Sequence, residues 1–159
     1  MSRLVLVASL FAAGCVADVG DSASLPPLDT DRYVAQVQPV VGRDCGTLDC
    51  HGVGLRPLRI YAVDGLRIEP DARGQPIRDD ELAWNVAAFE AIDPGAPTVD
   101  DHVALLKPLA VEAGGLAHEG DPVYRSVDDP GYRCLRAWLA DAPDDGACEA
   151  AAPPAPARP

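Results

Sequence analysis

The chain has 159 residues and a formal net charge of −12, from 25 acidic and 13 basic side chains. A chain of this length holds one modest domain. An acidic balance this strong opposes binding to nucleic acid and to anionic lipid surfaces. We therefore expect a single domain that does not bind nucleic acid.

The first 15 residues have the layout of an export signal. Arg3 supplies a positive charge, residues 4–11 are apolar, and small residues lead to Cys15. This order is typical of secretory signal peptides, and the apolar run is shorter than the about 20 residues that cross a bilayer. The Ala-Ala-Gly-Cys run that ends at Cys15 resembles the cleavage box of bacterial lipoproteins, although Ala12 stands where that box usually has Leu.

The lipoprotein resemblance implies that residues 1–14 are removed and that Cys15 becomes the lipidated first residue. The mature protein would then be exported, anchored to a membrane by lipid, and would face the periplasm or the cell surface. The alternative is an ordinary secretion signal in which the cysteine is incidental. Residues 15–29 would form a polar tether, residues 30–149 the domain, and residues 150–159 a disordered tail rich in Pro and Ala.

Apolar spacing predicts a mainly α-helical domain of about four helices with long loops. A first helix is expected to begin at an N-cap Thr30 and to kink or end early at Pro39. The clearest helix spans residues 79–93, where acidic side chains crowd the first turn and Asp-Pro-Gly ends it. Another helix is expected after Thr98, and a last helix is capped by Asp129 with a proline at its first position.

The sharpest motif is the run Cys45-Gly-Thr-Leu-Asp-Cys50-His51-Gly52. In c-type haem attachment, two thiols add to the vinyl groups of haem, and the histidine directly after the second thiol becomes an iron ligand. The usual spacing has two residues between the cysteines, whereas four stand here. The motif alone leaves two interpretations open: haem attachment, or a small disulfide with the histidine as a bystander. Two cysteines and one histidine are too few ligands for structural zinc.

The order of short motifs around this run resembles that of secreted bacterial cytochrome-c-like domains. In those domains Val-x-Pro and two aliphatic residues precede the cysteines. A Leu-x-Leu stretch, a Lys-Pro-Leu piece, a His-x-Gly loop and a final helix with Trp follow. The matching residues here are Val37 to Val41, Cys45, Cys50 to Gly52, Leu58 to Ile60, Leu106 to Leu109, His118 to Gly120, and Tyr132, Leu135, Trp138 and Leu139. The resemblance covers residues 32–140. It implies a cytochrome-c-like fold in which the last helix packs against the first.

The resemblance also implies a covalently bound haem c with its iron. Cys45 and Cys50 would carry it, and His51 would be its proximal ligand. The only methionine is Met1, which leaves with the export signal, so a histidine is expected at the distal position. His118 matches the His-x-Gly loop of the family and is the expected distal ligand, whereas His102 is expected to be a solvated surface residue.

The two remaining cysteines, Cys134 and Cys148, are expected to form a disulfide, because exported proteins fold in an oxidising compartment. Closing this loop should stabilise the fold by roughly 3 kcal/mol in the chain-entropy model. The bond would hold the segment after the last helix against the domain.

The expected function is single-electron transfer by a lipid-anchored haem-binding domain, with a redox partner protein that the sequence does not identify. The chain has neither a Gly-rich phosphate loop nor a Ser nucleophile elbow, and we expect no enzymatic activity. The alternative function is that of a haem-free, disulfide-stabilised lipoprotein that serves as a binding or envelope-structure module.

Overall fold

The computed structural model describes residues 25–152, which form a mainly helical fold, as the sequence predicts. Within this range there is no β-strand, and only two isolated bridges join extended segments, Tyr61 with Leu66 and Leu109 with Tyr124. The helices, here named α1 to α5 in chain order, span residues 30–44, Asp79–Ile92, Val103–Leu106, Pro130–Leu139 and Asp145–Ala151. Single 3-10 turns lie at Pro70–Ala72, Val99–Asp101 and Val111–Ala113.

The predicted export signal and the lipidation residue Cys15 lie outside the described residues, as does the tail from residue 153 onward. Ala150 and Ala151 were expected to belong to a disordered tail, but they form the last turn of α5. No helix within residues 25–152 combines the length and the apolar character needed to cross a bilayer.

Helix α1 continues past Pro39, where the sequence suggested a kink or an end. Its N-cap is Asp29, one residue before the expected Thr30, and the Asp29 carboxylate accepts a backbone N–H of the first turn at 2.9 Å. Residues Tyr33–Val37 form a π-helical turn before the α-helix resumes over Gln38–Asp44. In a regular α-helix, a proline ring clashes with the carbonyl four residues earlier. The wider π turn directly before Pro39 relieves that clash, so the helix reaches Asp44.

Helices α1, α2 and α4 meet in a buried aromatic cluster of Tyr33, Phe89 and Trp138. The ring centroids of Tyr33 and Trp138 are 4.9 Å apart, and Phe89 meets Trp138 edge to face at 5.3 Å. The Trp138 indole N–H donates to the carbonyl of Asp29 at 2.8 Å, so the one polar group of this ring is satisfied. The last long helix thus packs across the first.

The predicted disulfide is confirmed: Cys134 of α4 is bonded to Cys148 of α5, with Cα atoms 4.6 Å apart. Helix α5 has only seven residues and is capped by the Asp144 side chain. A helix this short is unstable alone in water. The covalent link and the burial of Ala147 and Ala151 hold it against α4.

A buried ion pair fixes the loop between α1 and α2. Arg67 and Glu81 have side chains with 0% exposure, and their closest charged atoms are 2.8 Å apart. The Glu81 carboxylate also accepts the backbone N–H groups of Ile68 and Arg78, at 2.8 and 3.0 Å. Arg67 donates in turn to three backbone carbonyls of residues 72–76. Nearly every polar atom of the pair therefore has a partner, which is the condition for burying two charges.

Candidate functional site

An apolar cavity of about 220 Å³ lies between the C-terminal end of α1, helices α2, α3 and α4, and two loops. Four polar or reactive side chains that the sequence singled out all line it: Cys45, Cys50, His51 and His118. Most of the remaining wall is apolar and includes Leu58, Phe89, Ile92, Val123 and Leu135. Residues 73 positions apart in the chain, Cys45 and His118, thus meet at one site.

The loop that carries the two cysteines folds back tightly at the end of α1. The N–H of His51 donates to the carbonyl of Cys45 at 2.9 Å, and the N–H of Gly52 donates to the carbonyl of Thr47 at 2.8 Å. A Cβ on Gly52 would lie 2.2 Å from the carbonyl oxygen of Gly46, closer than any side chain can come. Glycine directly after His51 therefore permits the close backbone approach that turns His51 toward the cavity.

The His51 ring is oriented by a backbone carbonyl. Its Nδ1 lies 2.9 Å from the oxygen of Leu58. A carbonyl only accepts hydrogen bonds, so Nδ1 carries the proton and Nε2 keeps a free lone pair. This arrangement, in which one ring nitrogen donates to a carbonyl, is the usual support of a histidine that ligates a metal through its other nitrogen.

The His118 ring lies across from His51, with 5.9 Å between the ring centroids and 34° between the ring planes. Its Nδ1 is buried and has no hydrogen-bond partner. Burial lowers the pKa of His118, and the positive charges of Lys107 and Arg56 lower it further, although the Glu119 carboxylate opposes them. The lowered pKa favours the neutral imidazole of His118, which can offer a lone pair to a ligand.

The thiols of Cys45 and Cys50 are free and are not bonded to each other. Burial raises the pKa of Cys45 to about 12, and the nearby negative charge of Asp44 adds to the rise. The Cys45 thiol thus stays protonated and is a poor nucleophile in this state. The alternative interpretation, a Cys45–Cys50 disulfide beside a bystander histidine, requires an S–S bond that this structure lacks.

His102 is not the solvated residue that the sequence suggested. It is only 2% exposed, and its Nδ1 accepts the N–H of Ala104 at 3.1 Å, which makes it the N-cap of α3. Burial lowers its pKa, although the nearby Asp93 opposes this. His102 is not among the residues that line the cavity. His118 is left as the one histidine that faces His51.

The cavity adjoins a polar cleft of about 360 Å³, and the two share Cys50, His51 and His118. Across this cleft the guanidinium of Arg56 forms an ion pair with the carboxylate of Glu119. Within residues 25–152, no group of three or more His, Cys, Asp or Glu side chains is placed to hold a metal ion. A metal ion held between the two histidines would therefore need further ligands that residues 25–152 do not supply.

No protein family, no curated protein and no solved structure matches this chain. The site therefore has to be understood from its own geometry. The motif and the order of the histidines indicated its four central residues. The Leu58 carbonyl and the Arg56–Glu119 pair were missed, because a backbone acceptor has no residue-type signature and an exposed Arg–Glu pair resembles any other surface charge.

Proposed function

We propose that the cavity binds a covalently attached haem c and that the protein transfers single electrons as an exported, lipid-anchored domain. The observation that carries the proposal is that two unbonded cysteines and two histidines line the same apolar cavity. A bound haem would need only two ligand side chains from the protein, and His51 and His118 would supply them.

The spacing of the two histidines supports axial ligation from opposite sides. A metal–imidazole bond is about 2 Å long, so two imidazoles on either side of one metal ion place their ring centroids about 6 Å apart. The observed distance between His51 and His118 is 5.9 Å. The unpartnered buried Nδ1 of His118 is a second sign that this ring is missing a ligand or a hydrogen bond.

Each residue would have a defined task. The thiols of Cys45 and Cys50 would add across the two vinyl groups, each sulfur bonding to one vinyl carbon while the thiol hydrogen goes to the other. His51 would bind through Nε2, with its Nδ1–H held by Leu58, and His118 would bind opposite. A haem in this site supplies an iron that accepts and releases one electron. With His51 and His118 both holding the haem, the site would serve electron transfer.

The proposed export is supported by the disulfide between Cys134 and Cys148, since such bonds form in oxidising compartments. Lipidation of Cys15 would place the domain beside a membrane. Histidine at both axial positions should give a lower reduction potential than a Met/His pair.

The deciding experiment is a pyridine haemochrome spectrum of the full chain, expressed with its export signal in a bacterium that matures c-type cytochromes. We expect a c-type band that is lost in Cys45→Ser/Cys50→Ser. The matched control is Cys134→Ser/Cys148→Ser, which also lacks two cysteines but should keep the band. A colourless wild-type protein, in a host that matures another cytochrome c, would favour the haem-free lipoprotein.

The same preparation tests the distal ligand. His118→Ala should change the spectrum from low-spin to high-spin, because one axial ligand is lost. His102→Asn is the control, since asparagine retains an N-cap acceptor for α3, and its spectrum should equal that of the wild type. An unchanged spectrum in His118→Ala would remove His118 from the site.

A further inference from the structure

The loop that carries His118 has few attachments to the rest of the domain. We call residues 117–123 the His118 loop. It begins after Leu116, whose N–H donates to the carbonyl of Leu106 at 2.8 Å, and it ends before Tyr124, whose N–H donates to Pro108 at 2.9 Å. Between these two points, the described residues form only two polar contacts with the loop: Lys107 Nζ to the carbonyl of Ala117 at 2.7 Å, and the ion pair to Glu119.

The two histidines are held in different ways. The His51 ring has its own hydrogen bond, to the carbonyl of Leu58. The His118 ring has none at Nδ1, although that atom is buried. The placement of His118 opposite His51 therefore depends on the position of its loop rather than on a bond to its ring.

The Arg56–Glu119 pair joins the two segments that carry the histidines. Arg56 follows His51 by five positions, and Glu119 is the residue directly after His118. The two partners are 63 positions apart in the chain, and both line the cleft that adjoins the cavity. The other contact, from Lys107, is made at the carbonyl of Ala117, directly before His118, so the two contacts hold the chain on either side of the ligand. Only the Arg56–Glu119 pair also joins the loop to the segment that carries His51.

We propose that the Arg56–Glu119 ion pair acts as a clasp that positions His118 opposite His51 and so controls how readily the distal position opens to an added ligand. The inference rests on the proposed haem site, since it assigns a positioning role to two residues that do not touch the iron. Their side chains are 37% and 77% exposed, so the pair is of the solvent-exposed kind. Exposed pairs of this kind shift the equilibrium between the joined and the separated state of their partners by about 1.5- to 5-fold.

Binding of carbon monoxide to the reduced protein measures this opening directly, because carbon monoxide has to displace His118 from the iron. We expect Arg56→Gln and Glu119→Gln each to bind it about 1.5- to 5-fold faster than the wild type does. Arg56→Glu should be faster still, because like charges then repel. The charge-swapped variant Arg56→Glu/Glu119→Arg should return toward the wild-type rate.

The controls are Arg59→Gln and Asp121→Asn. Each removes an exposed charge from one of the same two segments, and neither residue forms an ion pair within the part of the chain described. Both should keep the wild-type rate. Equal acceleration in these controls, or a charge swap that fails to restore the rate, would overturn the clasp.

Hydrogen exchange of residues 117–123 in the full chain separates this proposal from that of the haem site. Faster exchange in Arg56→Gln than in the wild type supports the clasp. If haem is bound but neither exchange nor carbon monoxide binding changes in Arg56→Gln, the clasp is wrong and the haem site stands. If the wild type has no haem, the proposed function and the ligand-gating role both fail, and exchange then shows only whether the pair tethers the loop.

Discussion

Glu81 illustrates how this fold keeps a charge in its interior. Burial by itself raises the pKa of a carboxyl group, but the Arg67 guanidinium and the backbone N–H groups of Arg78 and Ile68 outweigh it and lower the pKa of Glu81 to about 2. The carboxylate is therefore ionised at every pH at which the protein is expected to work. Removing either partner leaves the other charged and without compensation in the core.

Glu81→Gln should accordingly destabilise the protein by about 3–5 kcal/mol, the usual cost of breaking a buried ion pair from one side. Urea unfolding followed by circular dichroism measures the loss. Glu69→Gln is the control, since Glu69 is an exposed acid in the same loop and surface changes usually stay within about 0.5 kcal/mol. A loss below 1 kcal/mol for Glu81→Gln would show that Arg67 finds another partner.

The same carboxylate makes stability depend on pH in a defined direction. The folded pKa of about 2 lies below the value of about 4.3 in an unfolded chain, so the unfolded state binds more protons between these values. The contribution of Glu81 to the free energy of unfolding is therefore fully present above about pH 5 and is lost as the pH falls toward 2. In unfolding curves measured at a series of pH values, the difference in free energy of unfolding between the wild type and Glu81→Gln should shrink as the pH falls from about 5 toward 2.

Among the secondary-structure elements, the predictable ones were the helices whose ends are marked by capping residues or prolines in the sequence. Helix α2 was expected over residues 79–93 and spans Asp79–Ile92, and α4 begins after its expected cap Asp129. Caps and prolines act within one turn, so a single stretch of sequence contains the whole signal. The π turn before Pro39 and the burial of His102 depend on packing against distant segments, which no local pattern records.

The residues of the candidate site can likewise be separated into those that the sequence predicts and those that it does not. The adjacency of Cys50 and His51 and the loop position of His118 were visible in the sequence, because the chemistry needs those residue types. Their supports were not visible. The Leu58 carbonyl is a backbone atom, and the partial burial of Cys45 follows from how the end of α1 packs.

Helix α5 depends on its covalent link to α4. Cys134→Ser/Cys148→Ser should reduce the free energy of unfolding by roughly 3 kcal/mol, because the 14-residue separation then adds chain entropy to the unfolded state. Hydrogen exchange within Asp145–Ala151 should rise more than exchange within α2. Equal exchange in both helices would mean that the burial of Ala147 and Ala151 suffices to hold α5.

At the scale of the whole molecule, like-charge repulsion is the dominant electrostatic effect. The chain carries 25 acidic and 13 basic side chains, and of the ion pairs found within residues 25–152 only Arg67–Glu81 is fully buried. Surface pairs contribute about 0–1 kcal/mol each. An uncompensated charge of this size destabilises the compact state, and salt screens it over about 10 Å at 0.1 M.

We therefore expect the melting temperature to rise between about 0.01 M and 0.5 M sodium chloride, measured by calorimetry or circular dichroism. Asp64→Asn/Glu112→Gln is the comparison, because it removes two exposed negative charges and should weaken the response to salt. A melting temperature that falls as salt is added would mean that the surface ion pairs outweigh the net repulsion.

The π turn in α1 also determines the directions in which side chains point at the two ends of that helix. Each residue of an α-helix turns the chain by about 100°, and a π turn contains about one residue more than an α turn. The extra residue within Tyr33–Val37 lets Tyr33 point toward Trp138 while Cys45 lines the cavity. A one-residue deletion there would restore regular winding but would rotate one of these side chains away from its partner. The number of residues between Tyr33 and Cys45 therefore matters to the site as well as their identities.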